Sequence, residues 1–489
     1  AGYTNAFQLK ILPDDADPMD VRYNVIQWAH RSTRGWSYGA SVVDPRSGEI
    51  LKGHVSLGSL RIRQDFMIAQ ALTDKPYANG KTDDSPMLAL ALARIRQLSA
   101  HEIGHTLGFA HNFAASIKNR ASVMDYPHPT LGLEAGKISY ENAYADGIGD
   151  WDKVSVKYAY SDFPETVNET DALNALLEKS SADGHRFISD RDARPIGGAH
   201  PYAHLWDNGT SAVGEYENLL SIRKLAMDNF SIDQLKEAEP VSVLRDRLVP
   251  LYFLHRYQLE AVVKLIGGQA YEYGVKGAKI NAVKTVAIEE QRAALKAIVN
   301  SMNASSLSIP AHIRSILPPY AYGYGASRES FSTQTGLTFD PMGAAHTLSD
   351  AMLSMLLHPQ RASRLAQQKA FDANQLGLSE TISVLIKETF KTAVRGGEAK
   401  ALQTVVQGNL LQQLMRLGQS TLVSNVVRGT VHEQLYQLNG WLKKQNGYAL
   451  KHYYQNTIEQ YFEQPSTLTP IATPKIPDGS PIGTSLRCQ

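Results

Sequence analysis

The stretch that decides the fold is HEIGHTLGFAH, residues 101–111, which reads H-E-x-x-H-x-x-G-x-x-H. Residues four apart lie on the same face of a helix, so His101 and His105 are placed to bind one ion together. Gly108 tolerates backbone angles that are closed to other residues, so the chain can turn there and bring His111 back to the same ion. Three imidazole ligands leave the fourth position of a tetrahedral Zn²⁺ open to water, which is typical of a catalytic site.

The residue beside the first histidine supplies the acid–base chemistry that such a site needs. Glu102 is one position along the helix, within reach of a water on the ion. Zinc lowers the pKa of its water to about 7, and a carboxylate can take a proton as water attacks a carbonyl and return it to the leaving nitrogen. The sequence therefore predicts hydrolysis with Glu102 as the general base.

The segment before the motif predicts the helix that presents it. Residues 85–100, SPMLALALARIRQLSA, are rich in helix-forming residues and contain no glycine. Ser85 is predicted as the N-cap, with Pro86 at the first helical position.

A second motif, SVMDYP at residues 122–127, follows the histidines. The zinc motif followed by S-x-M-x-Y resembles the metzincin clan of zinc endopeptidases, in which this second segment is called the Met-turn. The full wording, HEIGHTLGFAHN followed by SVMDYPHP, is similar to large exported bacterial zinc-dependent metalloproteases related to the matrixins.

This resemblance implies a role for each residue of the two motifs. It implies Zn²⁺ ligation by His101, His105 and His111, with Glu102 as the base. Met124 would form a hydrophobic floor beneath the histidines. Tyr126 would stand near the metal, where its phenol is able to donate a hydrogen bond to the developing oxyanion.

The fold class predicted is α+β: a metzincin-like catalytic domain of mixed sheet and zinc helix, followed by a largely α-helical region. We expect the catalytic domain over residues 1–165, the helical region over 166–462 and a proline-rich extended tail over 463–489. Helical periodicity dominates from about residue 215, and apolar residues recur at helical spacing in one stretch. That stretch contains Leu402, Val405, Val406, Leu410, Leu414 and Leu417.

The strands of the catalytic domain are also predicted. Residues 21–28 read as a strand, and residues 38–43 and 50–57 flank the turn DPRSGE and suggest a hairpin. The alternating segment 50–57 is our candidate for an edge strand that pairs with the substrate backbone, with an ordinary strand as an equal alternative. Helices are expected over residues 60–72 and 149–160.

Composition limits the function classes. The 489 residues carry a formal net charge of +1 and 20% charged residues, so we expect no disorder and no nucleic-acid partner. No apolar run approaches the roughly 20 residues that span a bilayer. Cys488 is the single cysteine, so an intramolecular disulfide is excluded.

The chain begins Ala1-Gly2-Tyr3, without an initiator methionine or an apolar signal core. We interpret it as lacking an upstream N-terminal region. The resemblance implies such a region preceded by an export signal, and hence a secreted or periplasmic location.

Several functions are compatible with these residues. The leading prediction is a zinc endopeptidase acting on peptide or protein substrates. A zinc amidohydrolase that cleaves peptidoglycan or another non-protein amide would use the same site. A non-catalytic zinc-binding scaffold is disfavoured by the intact Glu102. A thermolysin-like site with Glu134 or Glu141 as third ligand is unnecessary because His111 is available.

Other polar residues carry weaker predictions. Asp83 and Asp84 are candidates for a structural Ca²⁺, although a solvated acidic loop is the simpler interpretation. His128 is expected in a surface turn. The charged segment 188–194, ISDRDAR, is expected to form a surface ion-pair network without chemistry.

Overall fold

A three-stranded mixed sheet lies beside the helix of the zinc motif. It consists of β1 (Val25–Ala29), β2 (Tyr38–Val43) and β3 (Ile50–Gly58). The structure is a computed structural model that describes residues 2–30, 37–277, 282–463 and 476–477. β3 occupies the centre, parallel to β1 and antiparallel to β2.

The predicted hairpin of β2 and β3 is confirmed, but the prediction that residues 50–57 form an edge strand is wrong. Both edges of β3 are hydrogen-bonded, with His54 opposite Val25 on one side and Ala40 on the other. A hairpin is a local feature that turn residues reveal, whereas the parallel pairing with β1 joins segments that are distant in sequence. Among the residues that the structure describes, the free edges of the sheet therefore belong to β1 and β2.

Two long helices support the sheet. α1 (Leu60–Leu72) and α2 (Ser85–Thr106) pack together, and α2 also packs against β2 and β3. Asp84, rather than Ser85, occupies the N-cap position of α2, so the helix begins one residue earlier than predicted. It ends where predicted, because Gly108 adopts a φ of 88° and the chain can turn back there.

The remaining elements are mostly helical, which confirms the α+β class and the predicted helical dominance. A short hairpin of β4 (Gly132–Glu134) and β5 (Lys137–Ser139) precedes the predicted helix α3 (Asp150–Tyr160). The helices that follow are α4 (Glu169–Ala182), α5 (Asp190–Ala193), α6 (Ala212–Asn229), α7 (Leu244–Tyr252), α8 (Arg256–Leu265), α9 (Ile288–Ser301), α10 (Ala304–Leu307), α11 (Ala311–Arg314), α12 (Pro341–Leu356), α13 (Pro359–Phe371), α14 (Leu378–Ile386), α15 (Gly397–Gln419), α16 (Asn425–Lys443) and α17 (Lys451–Glu463). Strands β6 (Gln269–Ala270) and β7 (Lys284–Thr285) form a small antiparallel pair between α8 and α9.

The principal hydrophobic core joins the first part of the chain to the helical part. Ile68 and Leu72 of α1 belong to the same buried cluster as Leu248 of α7 and Tyr461 of α17. The apolar stripe of α15 is confirmed as core at Leu402, Val406, Leu410, Leu414 and Leu417. The boundary at residue 165 stays a prediction, and the core packs residues from both sides of it.

The tail predicted over residues 463–489 lies almost entirely outside the described residues, as does Cys488. Within the parts of the chain that the structure describes, no helix is both long and apolar enough to cross a membrane.

Candidate metal centre

Three histidine side chains converge at the C-terminal end of α2. The Nε2 atom of His105 lies 3.1 Å from Nε2 of His101 and 3.1 Å from Nε2 of His111. His101 is buried, and His105 and His111 are half-buried. The helix places the first two rings, and the turn at Gly108 returns the third, as the spacing of the motif predicts.

The outer nitrogen of each ring faces a hydrogen-bond acceptor. His101 Nδ1 lies 2.6 Å from the carbonyl oxygen of Val123, and His105 Nδ1 lies 2.8 Å from that of Phe109. His111 Nδ1 lies 2.9 Å from a carboxylate oxygen of Asp190. Each Nδ1 therefore carries the proton and donates it, which leaves the lone pair on every inward-facing Nε2.

This set of donors fits a zinc ion. Three lone pairs pointing at each other repel unless a cation lies between them, and neutral imidazole is the form that binds metal. Burial, followed by the neighbouring imidazoles, lowers the pKa of His101 and of His105, which keeps the rings neutral. Tetrahedral Zn²⁺ with bonds of 2.0–2.1 Å would separate its nitrogen ligands by about 3.3 Å, close to the separations observed.

Glu102 is buried beside the histidines. Burial raises the pKa of Glu102 to about 7, against the opposing effects of Arg94 and of a hydrogen bond from the backbone N–H of Gly39. Gly39 belongs to β2, and a Cβ on it would stand 2.0 Å from the backbone oxygen of Glu102. Only glycine permits the edge strand to approach the helix this closely.

Met124 lies beneath the histidine helix and is 2% exposed. Its neighbours in the Met-turn are held by Asp152 of α3, whose carboxylate accepts hydrogen bonds from Ser122 Oγ (2.6 Å) and Val123 N–H (2.8 Å). The Val123 carbonyl in turn receives His101 Nδ1–H. Asp152 thus fixes the turn that orients the first histidine, a role that no motif in the sequence indicates.

Tyr126 also belongs to this cluster. Its ring centroid lies 4.8 Å from that of His111 and 5.2 Å from that of His101. Arg194 Nη2 approaches the phenol oxygen at 3.4 Å. The structure therefore brings together all six residues that the two motifs single out, while their catalytic roles remain predictions.

The charged segment 188–194 is not a surface ion-pair network alone, so that expectation is wrong. The Asp190 carboxylate accepts the His111 Nδ1–H, and Arg194 pairs with the same carboxylate. Burial favours a higher pKa for Asp190, but the hydrogen bonds from His111 and Arg194 outweigh it and hold that pKa below its usual value. In the sequence, only the density of charged residues in segment 188–194 indicated a special role. That density does not identify His111 as the partner of Asp190.

The structure also bears on the predictions of a surface His128, of a calcium site and of a glutamate as the third zinc ligand. His128 is buried, with Nδ1 3.1 Å from the Pro129 carbonyl oxygen, so the surface-turn prediction is wrong. The Asp84 carboxylate accepts hydrogen bonds from Tyr77 and Lys236. Among the described residues the three histidines form the only group of metal-binding side chains, which gives no support to calcium at Asp83 and Asp84 or to a third ligand at Glu134 or Glu141.

An α+β fold with three converging imidazoles, a buried glutamate and a methionine floor defines a zinc metallopeptidase of the metzincin clan. The chain belongs to the Met-zincin family, which it matches over residues 83–397, more than half of its length. The prediction of a metzincin is confirmed, and the relation to matrixins stays a prediction. Neither a curated protein nor a solved structure shows a significant match to the chain.

Proposed function

We propose that this protein is a zinc-dependent endopeptidase in which Glu102 acts as the general base. The observation that carries the proposal is the convergence of the His101, His105 and His111 Nε2 atoms, with Glu102, the residue after His101, buried in the same helix. Family membership supports a zinc metallopeptidase. That the protein cleaves bonds within a peptide chain is our proposal and goes beyond family membership.

We assign each residue of the site a separate role in hydrolysis. The three histidines would hold Zn²⁺, which would supply the Lewis acidity that activates water and polarises the substrate carbonyl. Glu102 takes the proton of the attacking water and delivers it to the leaving nitrogen. A carboxylate can both accept and release a proton, as these two transfers require. Tyr126 donates its phenolic hydrogen to the oxyanion.

The edge of the sheet supports a peptide as the substrate. β2 is an edge strand, and its residue Gly39 already touches Glu102. An exposed strand edge offers N–H and C=O groups that pair with an extended peptide backbone. A peptide aligned along β2 would pass the carboxylate, with chain extending on both sides of the bond that is cut. This placement favours an endopeptidase over the amidohydrolase alternative.

The test compares the wild type with Glu102→Gln in a mixed peptide library, with bound zinc measured in both proteins. We expect Glu102→Gln to retain zinc and to cleave about 10² to 10⁴ times more slowly. Glu134→Gln, which changes an exposed glutamate of β4 in the same way, should cleave like the wild type.

Two results would contradict the proposal. Equal cleavage by the wild type and Glu102→Gln would remove the proposed base. Bound zinc with cleavage of peptidoglycan fragments but of no library peptide would favour the amidohydrolase.

A further inference from the structure

The third histidine differs from the other two in how its ring is held. His101 and His105 lie on α2, and their Nδ1 atoms meet backbone carbonyls of Val123 and Phe109. His111 lies beyond the end of the helix, in chain without regular secondary structure. Its Nδ1 meets a side chain from far along the sequence, with Asp190 Oδ1 at 3.0 Å and Oδ2 at 2.9 Å.

The segment that carries Asp190 is hydrogen-bonded to the segment that follows His111. The N–H of Phe113 donates to the carbonyl of Ile188 at 2.9 Å. The side chain of Asn112 donates to the carbonyl of Arg186 at 2.8 Å. Phe113 lies two residues after His111 and Ile188 two residues before Asp190, so this pairing brings the two segments together next to His111 and Asp190.

A buried lysine fixes the far end of α5. Lys264 of α8 is 1% exposed, and its ammonium group donates to the carbonyl oxygens of Ala193 and Ala203. Burial lowers the pKa of Lys264 to about 7, and a group this deeply buried requires such acceptors. The neighbouring Asp192 accepts hydrogen bonds from the hydroxyls of Tyr271 and Tyr273. The segment is therefore anchored independently of the histidine.

Arg194 completes the arrangement. Its guanidinium pairs with the Asp190 carboxylate four residues earlier and stacks over the rings of Phe113 and Tyr126, each at 5.4 Å from the centroid. The side chain of Arg194 is 16% exposed and that of Asp190 is 40% exposed. The carboxylate thus contacts both the guanidinium of Arg194 and the imidazole of His111.

We propose that Asp190 is a positioning residue that fixes the proton of His111 on Nδ1 and the plane of its ring, so that Nε2 is presented to the metal. This inference rests on the proposed function. A carboxylate partner fixes the tautomer of a ligating histidine and makes its other nitrogen a stronger donor, and removing such partners weakens metal binding. Because no helix orients His111, the loss at this ring should be large.

The experiment measures zinc affinity by competition with a chromogenic chelator for Asp190→Asn and Asp190→Ala. Asp192→Asn is the matched control: it removes the same charge two residues away, from a carboxylate that binds tyrosine hydroxyls instead of the histidine. We expect zinc to bind about 10 to 100 times more weakly to both Asp190 variants than to the wild type. Asp190→Glu, which keeps a carboxylate, should recover part of the affinity.

Thermal unfolding of the metal-free proteins separates positioning from a general loosening of the segment. We expect the metal-free Asp190→Asn protein to unfold no earlier than metal-free Asp192→Asn. Zinc affinities of both Asp190 variants equal to that of Asp192→Asn would overturn the inference, with the proposed function intact if the wild type binds zinc and cleaves. A wild type that binds no zinc would instead overturn the proposed function itself.

Discussion

Gly104 lies so close to Met124 that a Cβ on Gly104 would stand 2.3 Å from Met124 Sδ. The helix that carries the histidines thus rests directly on the methionine of the Met-turn. Glycine is normally unfavourable inside a helix, by about 1 kcal/mol relative to alanine. Here the missing side chain permits the contact, so packing outweighs helix propensity.

Gly104→Ala should lower the free energy of unfolding by about 1–3 kcal/mol, because the added methyl overpacks a buried contact. It should also weaken zinc binding, since Met124 must move beneath the ligands. Gly408→Ala is a matched control in α15, where a Cβ meets no atom within 4 Å, and it should stabilise the protein slightly. Denaturant unfolding and chelator competition measure both effects. Equal stability changes for the two glycines would contradict the packing argument.

Gly39→Ala should impair both stability and catalysis, because the new Cβ would overlap the rigid backbone oxygen of Glu102. The edge strand would have to retreat from the helix and withdraw its N–H from the Glu102 carboxylate. Gly53→Ala in β3 is the comparison: its Cβ would stand 3.0 Å from the Cβ of Thr106, a contact that a shift of a few tenths of an ångström relieves. We expect the larger loss of peptide cleavage in Gly39→Ala. Similar rates for the two variants would argue against this role of β2.

Removal of the metal should lower the thermal unfolding midpoint. An ion bound only by the folded state stabilises it by about 4 kcal/mol at a thousand times its dissociation constant. Chelation should lower the midpoint of the wild type, and added zinc should restore it. His105→Ala should respond to neither treatment, whereas His312→Ala, which removes an exposed histidine, should behave like the wild type. An unchanged midpoint after complete removal of zinc from the wild type would contradict a metal that stabilises this fold.

The buried ring of His128 should account for part of the loss of folding stability at acid pH. Burial lowers its pKa from 6.5 to about 4. The unfolded chain therefore takes up a proton at this residue below pH 6.5, whereas the folded chain takes it up only near pH 4. Stability from the neutral ring is complete above pH 6.5 and is lost as the pH falls from 6.5 to 4.

His128→Gln should accordingly lose roughly 2–3 kcal/mol less stability than the wild type between pH 7.5 and 4.5. Urea unfolding at the two pH values measures the difference. His312→Gln, an exposed substitution, should keep the pH dependence of the wild type. An identical acid loss in His128→Gln would show that the buried ring is not its source.

Much of the candidate site was predictable because it depends on local spacing. The positions of His101, His105 and His111 follow from helical periodicity and one glycine turn. The burial of Met124 under them agrees with what the Met-turn motif implies. The partners of these residues were not predictable, because Asp152 and Asp190 come from elements whose docking is decided by packing.

In the sheet, too, the local features were predictable and the long-range pairing was not. The turn residues between β2 and β3 predict the hairpin, but they do not tell which strand lies at the edge. The parallel pairing of β1 with β3 placed the alternating segment 50–57 in the centre and left β2 beside Glu102.

The sequence by itself determined the metal-binding chemistry, the helix that presents two of the three imidazoles and the α+β class. Only the tertiary structure decided which strand approaches Glu102 and which side chain holds His111. The physical reason is range: a helix fixes neighbours three and four residues apart, whereas the contact of His111 with Asp190 joins residues 79 positions apart. That contact depends on the packing of α5 against the chain around Phe113 and on the buried Lys264.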